Sequence, residues 1–330
     1  MERTPRTACP GCGGDRRTPE EVGVRDAKYG IPGLWSFVRC ADCRLVRLAE
    51  TLTDPAEGYP REYSQHRGPR ELTFEHRWSP ARDVRSALLA SLGYERATRA
   101  VLPRPLTRLA LAVPNIRMRA AAGHLLMPPA RPSGALLDVG CGNGRLLAVM
   151  RLLGWRVAGI EPDSESAAIA RQTTGARIDR ARDDELYPSG SFDVVTMNHV
   201  LEHVEDPGVL LGRCFRVVRP GALIGIVVPN WRSLGHRLFK RDWYALEPPR
   251  HVVMYEPSTL ERMLERAGFR VVRMWTTSVR EWAVAWRTSW RFRTGAASPR
   301  PLLAAWGGLS LLASAADDTG EELVAWARRP

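Results

Sequence analysis

No apolar segment opens this chain: MERTPRTACPGCGG carries charge and turn residues where a secretory signal would carry a hydrophobic core. Nor does it hold the ~18 consecutive apolar residues that a membrane-spanning helix needs. The longest uncharged stretch, Pro301 to Ala316, is shorter than that. Both absences lead to the expectation of a cytoplasmic protein, where paired cysteines more often hold metal than form disulfides. Lysine is almost missing, since Lys28 and Lys240 are the only two among 48 basic residues. So strong an arginine bias is what a GC-rich coding sequence produces, which discounts the net charge of +12 as a sign of a nucleic-acid partner. Residues 1–75 lack any charge imbalance, with twelve basic and twelve acidic side chains. Residues 76–131 hold most of the excess, with ten basic against two acidic.

What is present is organised around Gly134 to Glu161, GALLDVGCGNGRLLAVMRLLGWRVAGIE. Ala135 to Val139 reads as a buried strand bounded by glycines. A glycine turn follows, Gly140-Cys141-Gly142-Asn143-Gly144, and then Leu146, Leu147, Val149, Met150, Leu152 and Leu153 recur at helical spacing. A second strand, Arg156 to Ile160, ends on Glu161. Strand, glycine turn, helix, strand and acid make a nucleotide-binding βαβ unit, in which glycines admit the ligand to the backbone and the acid accepts from ribose hydroxyls. Asp138 stands before the turn where dinucleotide-binding fingerprints carry an apolar residue. A carboxylate there repels a pyrophosphate and suits a cationic ligand. S-adenosylmethionine, a sulfonium with an amino group, has that character, and LDVGCGNG resembles the first motif of class I S-adenosylmethionine-dependent methyltransferases.

The resemblance continues. GSFDVVTMNHVLEHVEDP resembles the family's fourth-strand signature, with Phe192 to Met197 as the strand, Asn198-His199-Val200 as a turn towards the cofactor, and a helix from Leu201. It implies an α/β fold: a Rossmann-like, seven-stranded, mostly parallel sheet with helices on both faces, whose last strand, EELVAWARRP, is antiparallel and near the edge. It also implies that Asp138 and the turn residues Gly140, Cys141, Gly142 and Gly144 hold the methionine end. Glu161 would take the ribose, Asp183 the adenine (Ala181 being the other position in register), and Asn198 would lie beneath the adenosine. Methyl transfer to oxygen or nitrogen usually needs a base, and His199 and His251 are the candidates, histidine titrating near neutral pH.

Ahead of this core lie two knuckles, Cys9-Pro-Gly-Cys12 and Cys40-Ala-Asp-Cys43. Two CxxC pairs complete a tetrahedral four-thiolate site, which zinc prefers and which leaves no coordination position for catalysis. CADCRLVRLAETLTDPAEGYPREYSQHRG resembles the zinc-ribbon head of a bacterial methyltransferase group, with Arg44 where that group commonly has glycine. The expected organisation is therefore a zinc-ribbon head and linker over 1–75, a basic helical connector over 76–131, and the methyltransferase domain over 132–330. That domain carries an insertion, 282–316, in which Trp282, Trp286 and Trp290 recur every four residues and Arg287, Arg291 and Arg293 flank them. As a helix this is either a packing element or a lid meeting an anionic membrane surface.

The function expected is methylation of a small-molecule or lipid-like acceptor. An RNA methyltransferase and a non-catalytic S-adenosylmethionine- and zinc-binding protein stay open beside it. Against RNA, the head is charge-neutral and has no interleaved basic and aromatic strand on which bases would stack.

Overall fold

The computed structural model describes residues 1–59, 80–94, 105–106, 109, 126–180, 187–278, 282–316 and 318–330. In chain order its strands are β1 Arg3–Pro5, β2 Arg17–Val24, β3 Trp35–Cys40, β4 Val46–Leu48, β5 Glu50–Leu52, β6 Ala135–Val139 and β7 Arg156–Ile160. They continue as β8 Arg177–Asp179, β9 Phe192–Asn198, β10 Val218–Pro229, β11 Val253–Met254, β12 Arg270–Thr277 and β13 Glu322–Arg328. The helices are α1 Pro80–Ser91, α2 Arg145–Leu152, α3 Ser164–Thr174, α4 Pro207–Val217, α5 Leu234–Phe239, α6 Pro257–Arg266, α7 Trp282–Thr294 and α8 Arg300–Ala316.

Seven strands form one sheet in the order β12-β13-β10-β9-β6-β7-β8. Strand β6 runs parallel to β7 and β9, β7 runs parallel to β8, and β13 is antiparallel to β12. This is the Rossmann-like architecture expected, with one local difference. Strand β13 lies near the edge as expected, one place in, its apolar Leu323, Val324 and Ala325 fully buried, and β12 forms the edge. The helix expected from Leu201 is a single 3-10 turn, Leu201–His203, and α4 starts only at Pro207, where the missing proline N–H costs nothing in a first helical turn.

The chain resolves into two compact units, one made of Met1–Tyr63, His199–Phe215 and Ile226–Pro330, the other of Ser64–Asn198 and Arg216–Gly225. In the second unit β6 is buried at every position because its apolar residues face packing on both sides. Gly134 precedes it because a Cβ there would stand 2.6 Å from the Trp155 ring. Helix α2 presses Leu146, Leu147, Val149 and Met150 inward, and α3 is capped by Asp163, whose side chain accepts from Ser166 N–H at 2.8 Å. Of the expected connector, α1 buries Leu88 and Leu89, whereas most of residues 95–125 lies outside the described residues.

In the first unit a four-stranded sheet runs β11-β4-β3-β2. Its fourth strand comes from beyond residue 250, so the N-terminal cysteine segment shares a sheet with the C-terminal part of the chain. The insertion 282–316 forms α7 and α8. Trp286 is buried, stacked on Trp290 at 5.3 Å, with Trp306 at 4.8 Å and Phe239 edge-on at 5.4 Å. That side of the tryptophan stripe faces inward, as apolar stripes at helical spacing generally do. The Trp282 side chain lies outside the described residues.

Candidate active site

The glycine turn is built by backbone conformation. Gly140, Gly142 and Gly144 have φ of 69°, 52° and 80°, the left-handed region that side chains disfavour. At Gly144 a Cβ would also come within 3.0 Å of the Ala170 backbone, so the glycine lets α2 begin hard against α3. Gly159 lets β7 pass Cys141, since a Cβ there would stand 2.7 Å from the Cys141 Sγ. Two carboxylates flank the turn. Asp138 is buried, and Thr196 on β9 donates its hydroxyl to the Asp138 Oδ1 at 2.6 Å. Burial, and secondarily the negative charge of Glu161, raise the Asp138 carboxyl to about 7, against the lowering effect of the Thr196 bond. Glu161 accepts from Gly142 N–H at 2.8 Å and from Asp163 N–H at 2.9 Å, which ties the turn to the end of β7.

This arrangement fits a cationic ligand with ribose hydroxyls. A buried acid that desolvation leaves half-protonated gains most from a positive partner, and a carboxylate braced by amides can accept further hydroxyl bonds. The Cys141 thiol is buried and pushed up by that burial and by the charges of Asp138 and Glu161, and its N–H donates to the Ile160 carbonyl at 3.1 Å, so the residue serves the shape of the turn. Asn198 closes β9, half-buried. Asp183 and Ala181 lie outside the described residues.

The first unit, which holds His199, carries a second group of titratable side chains. His199 has φ of 56° and is held between two buried carboxylates, with Nδ1 3.0 Å from Glu202 and Nε2 2.9 Å from Glu322. Burial pulls its basicity down, but the two carboxylate bonds outweigh it and raise the imidazole to about 10. His251 is buried and donates from Nδ1 to the Ala245 carbonyl at 2.7 Å. Burial and the neighbouring His203 hold its ring well below the usual histidine range, and hence neutral. His203 donates from Nδ1 to the Arg250 carbonyl at 3.1 Å, and the two rings meet edge-on at 4.6 Å. Arg250 is fully buried and pairs bidentately with Asp26 at 2.8 and 2.9 Å. Lys28 reaches the same cluster through Glu247 at 2.6 Å.

The four cysteines converge. Sγ of Cys9 lies 3.5 Å from Cys43 and Sγ of Cys12 lies 3.5 Å from Cys40, close to the ~3.8 Å edge of a tetrahedron with ~2.3 Å zinc–sulfur bonds. All four ligand atoms lie within 4.8 Å of one another. Gly11 and Gly14 donate amides to Cys9 and Cys12 at 3.4 Å, which suits thiolates. Arg44 has φ of 65°, the conformation glycine would supply, so the departure from the group's pattern leaves the knuckle's shape intact. From α6, Arg262 donates to the Cys43 carbonyl at 2.7 Å, and Arg266 donates to the Gly11 carbonyl.

Sequence reasoning missed Thr196, Glu322 and the Arg250–Asp26 pair. Thr196 is the one hydroxyl inside the apolar strand Phe192–Met197, a signal that was available. Glu322 and Asp26 carry none, since each meets a partner more than 120 positions away.

Residues 115–274 match the family defined as "Methyltransferase domain". A ubiquinone biosynthesis O-methyltransferase of Bradyrhizobium sp. is 36% identical over 105 residues, 30% of this chain and 42% of that protein. One from Rhodopseudomonas palustris is 30% identical over 147 residues, 41% of this chain and 58% of its own length. The chain thus spans about half the length of these curated relatives. A solved S-adenosylmethionine-dependent methyltransferase from Mesorhizobium loti, 21% identical, aligns over 60% of this chain and 92% of its own with a TM-score of 0.43. Among the described residues no helix is long and apolar enough to cross a membrane.

Proposed function

We propose that the chain, whose residues 115–274 match the methyltransferase-domain family, transfers the methyl group of S-adenosylmethionine to a small-molecule or lipid-like acceptor. The observation that carries the reading is the buried Asp138 beside a left-handed glycine turn braced by Glu161. Bound there, the sulfonium supplies an electrophilic methyl carbon. Asp138 and the turn from Gly140 to Gly144 would hold the cofactor's methionine end, Glu161 the ribose hydroxyls, and Asn198 the side beneath the adenosine. The chain's task is to fix the cofactor and exclude water, which is where most of the rate of such displacements arises.

Of the two histidines considered as bases, this reading favours His251 on its protonation state. Two carboxylates hold His199 as an imidazolium at neutral pH, so it has no lone pair to offer. Its part is to keep the carboxylates of Glu202 and Glu322 charged and fixed. His251 is neutral, with Nδ1 committed to a carbonyl and Nε2 as its basic nitrogen.

Zinc in the Cys9, Cys12, Cys40 and Cys43 site would be structural, since four thiolates close its coordination. Peripheral contact with an anionic membrane is supported by the exposed Val284, Leu302 and Leu309, with the exposed Arg287, Arg291 and Arg300 on the same helices α7 and α8. Incubation with methyl-labelled S-adenosylmethionine, hydroxylated aromatic and lipid-like acceptors, and RNA tests the function. The reading expects label in the small organic fraction. Label confined to RNA would replace it with the nucleic-acid alternative, and binding without any transfer would favour the non-catalytic one.

A further inference from the structure

We infer that Glu202, His203 and His251 form a divalent-cation site, separate from the four-cysteine cluster, that takes an oxygen-anion ligand such as a phenolate, enolate or carboxylate in its open positions. One ligand atom from each of the three lies within 4.8 Å of the other two. All three residues belong to one compact unit, and Val252 N–H donates to the Glu202 carbonyl at 2.8 Å, which fixes the His251 segment beside the Glu202–His203 turn.

Three independent features prepare the group for a metal. Both imidazoles donate from Nδ1 to backbone carbonyls, of Arg250 and of Ala245, so each presents Nε2 as its lone-pair nitrogen. That is the outer-shell arrangement that orients metal-binding histidines. The Glu202 side chain is fully buried, yet its Oε1 is engaged by His199 while its Oε2 has no hydrogen-bond partner among the described residues. A buried carboxylate oxygen left without a partner carries a desolvation cost, and a cation would remove it. Glu247 faces the group from the other side, its Oε2 3.9 Å from the His251 Nε2, and adds negative charge. Lys28, Arg250 and the His199 imidazolium are cations nearby, and each is already paired, Lys28 with Glu247, Arg250 with Asp26 and Glu247, and His199 with Glu202 and Glu322.

Two imidazoles and one carboxylate suit a first-row divalent ion and leave coordination positions open, unlike four thiolates. The inference rests on the methyl-transfer reading and deepens it by naming the class of acceptor. A bound cation would take the His251 Nε2 lone pair and would lower the pKa of an acceptor hydroxyl coordinated to it.

The test uses the full chain, stripped of metal and titrated with Co2+. The inference expects two Co2+ per chain: one with the intense thiolate charge-transfer bands of the cysteine site, one with only weak visible bands. Glu202→Gln and His203→Asn should each keep the thiolate bands, which report a folded head, and lower the count to one. A wild-type chain that loads a single Co2+ overturns the inference whatever the variants do, as does Glu202→Gln loading two. If that wild-type chain still binds S-adenosylmethionine, the methyl-transfer reading survives with His251 as a simple base.

Discussion

The pH dependence of cofactor binding follows from a single buried carboxyl. Asp138 sits on β6 with one hydroxyl partner, and burial lifts it from 3.8 to about 7. At ~1.36 kcal/mol per pH unit, that lift disfavours its ionised form by about 4 kcal/mol in the empty protein. The folded pKa is raised, so the folded chain binds the extra proton between roughly pH 4 and 7, and stability falls as pH rises through that window. A cationic ligand reverses the preference, because only the carboxylate attracts it. Between pH 8 and pH 6 the ionised fraction of a group titrating at about 7 falls about tenfold, and affinity for S-adenosylmethionine should fall with it. Asp138→Asn keeps the shape, removes the charge, and should weaken binding by about 1.5–3 kcal/mol at pH 8, tenfold or more. The same variant should melt higher than wild type without ligand above pH 7, since the cost of ionising the buried acid is gone. Calorimetric titration of both proteins in matched buffers isolates the effect, because the ligand's own titration cancels in the ratio. A wild-type to variant affinity ratio that is flat from pH 6 to 8, or equal affinities at pH 8, would refute the reasoning.

Other expectations follow from particular side chains. Protein purified without added zinc should carry metal at the cysteine cluster, and Cys40→Ser should lose both that metal and stability, as metal analysis and a melting curve would show. Arg250→Ala leaves the Asp26 carboxylate buried and unpaired, so it should cost about 3–5 kcal/mol in denaturant unfolding; a loss under 1 kcal/mol would mean water reaches that pair. Trp286→Ala should cost about 3–5 kcal/mol, because its ring fills the space between Trp290, Trp306 and Phe239. Near-wild-type stability in that variant would contradict the packing of α7. On anionic liposomes, salt-reversible sedimentation is expected, and Leu302→Glu with Leu309→Glu should abolish it without changing the fold.

The parts of this protein that were legible in its sequence are the local ones. An apolar run between glycines, three glycines at left-handed positions and an acid one strand later lie within 28 residues, and each is dictated by short-range sterics. The CxxC knuckles are equally local. The ribbon's fourth strand was not legible, because Val253–Met254 is too short to show periodicity and meets β4 some 200 positions away. Arg250 looked like one more surface arginine because its composition-wide abundance hides the single copy that is buried. Glu322 became visible only once the fold brought β13 into the unit holding His199, whereas Thr196 stood out as the one hydroxyl of an apolar strand and lacked only its partner on β6.

Amide hydrogen exchange with and without saturating S-adenosylmethionine tests the central claim most directly. The account predicts slowed exchange at Gly140 to Gly144 and at the Glu161–Asp163 corner, where Glu161 joins turn to strand. Unchanged exchange at that turn while the ligand is bound would contradict it.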